Sequence, residues 1–131
     1  MQACAAALLK RVAGLDHPGS CVIPLWALAK AGQWQAGDGL AAALLARLAA
    51  DGCTLLRLAS AGSRGAGQTH GNLWWSISEA PAEVAAQLQP STAALLPASA
   101  ELLGAMGHPE LKPQEWANVL LAAARLRYGQ A

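Results

Sequence analysis

The stretch from residue 38 to residue 78 constrains the fold most, because its apolar residues change their spacing partway along it. Leucines and alanines recur at helical spacing between Asp38 and Gly52, which predicts a helix with one buried stripe. Asp38 is a residue type that caps helix N-termini, and Gly52 can end the helix in a left-handed conformation. Apolar and other residues alternate after Gly52, and this spacing predicts β-strands over residues 54–60 and 72–78.

A glycine-rich segment, residues 61–72, separates the two predicted strands and predicts a mobile hairpin tip. Upstream of them, Val22 to Ala29 predicts a short β-prone run followed by a second helix. Leu45-Ala-Arg-Leu48 with Asp51-Gly52 predicts the end of a third helix, and Trp75-Ser-Ile-Ser78 predicts a last strand. This order of elements resembles the winged helix-turn-helix superfamily.

The resemblance implies an α+β fold of three helices and a small antiparallel β-wing over residues 1–85. A helical C-terminal extension is expected over residues 86–131. In the extension, Pro90 and Pro97 predict helix breaks, because proline lacks the backbone N–H that a helix interior uses. Pro113 to Arg127 predicts the best helix of this half, with proline suited to its first turn. Gly107-His108-Pro109 predicts a loop, and no internal repeat is evident.

The composition narrows the function classes. Apolar residues make up 54% of the chain and charged residues 13%, so the chain is not of the disordered class. Three cysteines without C-x-x-C spacing predict neither a disulfide framework nor a zinc site, and favour a reducing cytoplasm. His17 and Cys21 have no third group to orient them, so we expect no enzyme, no metal and no cofactor. No apolar run is long enough to predict a membrane span.

The resemblance implies a non-enzymatic DNA-binding protein, a small bacterial regulator of transcription or an accessory factor. Residues 1–78 hold six basic and three acidic residues, net +3, whereas residues 79–131 hold three basic and five acidic residues, net −2. The basic half suits double-stranded DNA. Basic and amide side chains near the third helix and the wing are the expected contacts to phosphates and base edges. These candidate DNA-binding residues are Lys30, Gln33, Gln35, Arg47, Arg64, Gln68 and His70.

The third helix leaves an alternative open. Its exposed face is expected to consist mostly of alanines, which offer no hydrogen bonds to base edges. The same face suits close approach of another helix, so the chain could instead be a protein–protein interaction module that uses this face and its tryptophans. The helix from residue 113 is apolar over much of its circumference, which predicts a homodimer through the C-terminal helices. The expected dimer residues are Trp116, Leu120 and Ala124.

Overall fold

The computed structural model describes residues 1–106 and 111–129 of the chain, and the predicted loop at residues 107–109 lies outside them. Within these ranges the protein has six α-helices, one short 3-10 helix and no β-strand. In chain order the elements are α1 (Gln2–Leu9), the 3-10 helix (Val12–Gly14), α2 (Pro18–Ala31), α3 (Leu40–Arg57), α4 (Ala66–Ser78), α5 (Ala82–Ala105) and α6 (Pro113–Leu126).

The predicted winged helix is therefore wrong, because the segments expected to form its wing are helical. Residues 54–57 continue α3, and most of the segment 72–78 lies in the second half of α4. Alternating apolar residues in a run this short also fit a helix, since Leu73 and Ile77 are four residues apart and both are buried. The short β-prone run predicted from Val22 onward lies inside α2. The predicted helix from Pro113 is confirmed.

Local signals explain where several helices begin and end. His17 caps α2 by accepting a hydrogen bond from the Gly19 N–H at its Nδ1 atom, 3.1 Å away. Gly32 ends α2 in the left-handed conformation, with φ of 66°. At the start of α6, the backbone N–H of Lys112 donates to Glu115 Oε1 at 2.8 Å.

Helices α3 and α5 differ from the helices that the sequence predicts. Gly52 is left-handed as expected, with φ of 67°, but α3 kinks there and continues as a helix to Arg57. Helix α5 runs through both Pro90 and Pro97 without ending. Both prolines are exposed, so water can satisfy the carbonyl groups that lose a helical hydrogen bond.

The helices alternate between two layers. In layer one, α2 packs on α4 and α4 packs on α6, whereas in layer two α1 packs on α3 and α3 packs on α5. The layers meet where α2 packs on α3 and α4 packs on α5. The layer-one helices begin at residues 18, 66 and 113, at intervals of 48 and 47 residues. The structure thus has a periodicity that the sequence analysis missed, and it resembles arrays in which each unit contacts only its neighbours.

One apolar core runs through both layers and across the predicted boundary at residues 85 and 86. It includes Leu45 of α3, Leu73 of α4 and Leu95 of α5, none of which has exposed surface. Within the described residues, no helix has the length and apolar content that crossing a bilayer requires.

Candidate functional site

A buried network of three side chains joins α4 to α5. The Trp74 indole Nε1–H donates to Ser99 Oγ at 2.8 Å, and Ser99 Oγ lies 2.6 Å from His70 Nδ1. His70 Nε2 lies 2.6 Å from the carbonyl oxygen of Ala59, so this nitrogen carries the ring proton and donates it. The Ser99 hydroxyl then donates to His70 Nδ1, and every polar atom of the network has a partner when the imidazole is neutral.

The environment keeps that imidazole neutral. Burial lowers the pKa of His70 below its ordinary value of 6.5, and the hydrogen bond to the Ala59 carbonyl opposes this shift. A charged ring would also carry an N–H at Nδ1, and the Ser99 hydroxyl would then lose the acceptor to which it donates. The network is a structural clamp between α4, α5 and the segment after α3.

The network is closed to solvent. His70 and Ser99 have no exposed surface, so no substrate reaches the serine hydroxyl. Burial raises the pKa of the Cys21 thiol to about 11, although nearby Arg47 opposes the shift, and this cysteine is therefore a poor nucleophile. Among the described residues, no cluster of three or more histidine, cysteine or acidic side chains could hold a metal ion.

Packing within the fold does not account for the apolar residues that are exposed on α6. Helices α4 and α6 begin at Ala66 and Pro113, and counting from these positions aligns their residues. The aligned pairs are His70 with Ala117, Leu73 with Leu120, Trp74 with Leu121 and Ile77 with Ala124. All four residues of α4 are buried, and two of them, His70 and Trp74, bond to Ser99 of α5.

The four aligned residues of α6 are exposed and apolar. Leu120 is 65% exposed and Leu121 is 49% exposed, and Ala117 and Ala124 are also exposed. We call these four residues the open face of α6. Helix α2 packs on α3, and its residues at the first two aligned positions, Val22 and Leu25, are buried as well. The layer-one helices before α6 each pack on a layer-two helix that follows them, and the described residues contain none after α6.

A cleft of about 270 Å³ is lined by α5 and by residues at the ends of α4 and α6. Leu88 and Leu96 of α5 line it together with Leu126 and Tyr128 from the end of α6. The ring of Tyr128 meets the ring of Trp74 edge to face, with ring centroids 5.1 Å apart. The free edge of α5 and the end of α6 thus form an apolar depression, at the end of the array that also carries the open face.

The structure scatters most of the candidate DNA-binding residues. The Lys30 ammonium lies 5.6 Å from the ring centroid of Trp75, which is within the range of a cation–π contact. Arg47 is half-buried and donates from Nε to the Leu15 carbonyl at 2.9 Å. Gln33 and Gln35 are exposed between α2 and α3. Both ring nitrogens of His70 are bonded inside the protein, so this side chain is not available to a phosphate.

Two of these candidates do come together. Arg64 and Gln68 are exposed and line one depression near the first turn of α4. Lys112 and Glu115, at the start of α6, line the same depression. The carboxylate of Glu115 in the same depression offsets part of the positive charge. This is a mixed polar surface rather than a basic one.

The predicted dimer residues fall on different sides of α6. Leu120 and Ala124 belong to the open face, whereas Trp116 is half-buried and packs against the core. The alanine-rich face of α3 is only partly free, since Ala42 and Ala46 are exposed and Ala43 and Ala49 pack against the core.

Sequence reasoning missed Ser99 and Leu121, the residues that define the clamp and complete the open face. Aligning residues 25–26, 73–74 and 120–121 would have revealed Leu121, since each pair consists of leucine followed by a large apolar residue. Comparison of the chain with models of protein families, with curated proteins and with solved structures finds no match.

Proposed function

We propose that this chain is a protein-interaction module, and that the open face of α6 receives a helix from a protein partner. The observation that carries the proposal is the register of the array. The side of α4 that meets a layer-two helix is buried, and the matching side of α6 is apolar and exposed. Contiguous exposed apolar surface of this kind is typical of interaction sites.

The free energy that binding must supply indicates how long the partner helix must be. Fully burying one leucine side chain contributes about 1.5–3 kcal/mol, and both leucines here are already partly buried. Micromolar affinity needs about 8 kcal/mol after the loss of translational and rotational freedom has been offset. The two leucines alone do not supply this. The partner must also cover further apolar surface of the chain, which calls for an amphipathic helix of about three turns or more.

The positions of the basic side chains favour a protein partner over duplex DNA. Arg57 lies 3.7 Å from Glu101, and Arg125 lies 2.9 Å from Glu79. Lys30 and Arg47 make the contacts described above. The β-wing on which the DNA-binding prediction depended is a helix in this protein. DNA binding remains the competing hypothesis, and it would use the depression around Arg64 and Lys112.

A peptide with the sequence of α5, residues 82–105, is a suitable probe, because α5 covers the matching side of α4. We expect the labelled peptide to bind with a saturable rise in fluorescence anisotropy. Leu120→Glu should remove most of that binding, whereas Leu58→Glu should not change it. Leu58 is the matched control, because it is a leucine with 53% of its surface exposed at the end of α3.

Two results would count against the proposal. One is peptide binding that Leu120→Glu leaves unchanged, or that never saturates. The other is salt-sensitive binding of duplex DNA that Arg64→Ala weakens and Leu120→Glu does not. The second result would support the DNA-binding hypothesis instead.

A further inference from the structure

The two ends of the array are both apolar, and together they suggest one occupant for the open face. At the start of the array, α1 and α2 line an apolar depression of about 140 Å³. Five residues that line it are Met1, which precedes α1, Cys4 and Leu8 of α1, and Pro24 and Ala27 of α2, and we call them the α1–α2 surface. At the other end lie the open face of α6 and the cleft beside α5.

Helix α1 has the uncharged, largely apolar composition of a helix that is covered on more than one side. Its eight residues, QACAAALL, contain no charge, yet Ala3, Cys4 and Ala7 are exposed. A helix that is apolar around its circumference is normally buried. The small side chains on this exposed side would let another helix approach closely, so that large residues such as Leu120 and Leu121 could pack between them.

The order of the layers fits end-to-end joining. The described helices run from α1, in layer two, to α6, in layer one. Placing α1 of a second copy against α6 therefore continues the alternation of the layers, and α2 of that copy becomes the next layer-one helix. A two-fold pairing of α6 with α6 would instead join two layer-one helices.

We propose that the chain associates head to tail, with the α1–α2 surface of one copy on the open face of α6 of another. The contact uses two different surfaces, so copies can add successively, into an open assembly or a closed ring. This inference rests on the proposed function, because it uses the same open face and names a second copy as the partner.

Two single substitutions at opposite ends test it. Ala27→Glu places a charge on the α1–α2 surface, and Leu121→Glu places one on the open face. Both residues are exposed, so the fold should persist, and circular dichroism and urea unfolding of each variant check this. Sedimentation of the unmodified chain should show an average mass that rises with concentration from 13.4 kDa past twice that value.

The decisive sample is the mixture of the two variants. Each variant alone should remain at 13.4 kDa, because each has lost one end. Mixed in equal amounts they should form a one-to-one dimer and stop there, since only one pair of intact ends exists. Leu58→Glu, the control from α3, should associate like the unmodified chain.

Other outcomes would overturn the inference. A dimer of Ala27→Glu alone would show a symmetric contact through α6. A mass of 13.4 kDa for the unmodified chain at every concentration up to millimolar would exclude association. If the α5 peptide still binds and Leu120→Glu still abolishes that binding, the failure belongs to the choice of partner and the proposed function stands.

Discussion

Replacing Ser99 with alanine removes the hydroxyl that joins Trp74 to His70 inside the protein. The indole N–H and the Nδ1 atom of the imidazole then lose their partner in a site with almost no exposed surface. A buried polar group left without a partner costs about 1–3 kcal/mol, and two such groups cost about 2–6 kcal/mol. Alanine is a better helix former than serine, which returns a few tenths of a kcal/mol. We expect a loss of about 2–5 kcal/mol.

Ser76 provides a matched control. It is the same residue type, it also has no exposed surface, and its hydroxyl donates only to the Asn72 carbonyl one turn earlier in α4. Ser76→Ala leaves no buried group without a partner, because that carbonyl belongs to the helix. The free energy of unfolding should change by about 0.5 kcal/mol or less.

Urea unfolding followed by circular dichroism measures the difference. A chain of this size has a free energy of unfolding of about 7–20 kcal/mol, so the serine clamp supplies a substantial part of it. With a urea dependence of about 1–3 kcal/mol per molar, Ser99→Ala should lower the unfolding midpoint by about 1–3 M relative to Ser76→Ala. Equal midpoints for the two variants would show that the network is not a clamp.

Three further predictions follow from burial and geometry. Because the pKa of His70 is lowered in the folded protein, the imidazole binds a proton at higher pH in the unfolded chain than in the folded one. The free energy of unfolding should therefore fall as pH drops below 6.5, and NMR titration of the folded protein should show the ring still neutral there. In the native monomer only Cys4 should react rapidly with a thiol reagent, and labelling of the two buried cysteines should require unfolding. Gly71→Ala should stabilise α4 by up to about 1 kcal/mol, since a Cβ there meets α6 at an ordinary distance of 3.5 Å. Gly37→Ala should destabilise the protein, because Gly37 has φ of 72° and a Cβ there would lie 3.0 Å from α1. Thermal unfolding of the two variants compares these effects.

The sequence predicted the helical parts of the fold where capping signals and spacing agreed. Pro113 with Glu115 marks the start of α6, and Gly52 is left-handed as expected. The wing could not have been excluded from local spacing, because Leu73, Trp75 and Ile77 alternate as in a strand while Leu73 and Ile77 also fit one helical stripe. Burial against α5 decides between the two, and that contact is far away in sequence.

The same limit applies to the candidate site. Leu120 and Ala124 were identified from the apolar circumference of α6, and the structure places both on the open face. His70 was assigned to an exposed wing because its partner Ser99 lies 29 residues away, and no local pattern connects them. The periodicity of the array depends on helix positions more than on residue identity, since α2 and α4 share only a few residues in register.

Chemical-shift mapping with the α5 peptide tests the central claim, that the open face of α6 binds a partner helix, most directly. Amide signals of the uniformly labelled chain would be followed as the unlabelled peptide is added. We predict changes concentrated at residues 117–124 of α6. Changes concentrated around Arg64 and Gln68, or no changes at saturating peptide, would contradict the claim.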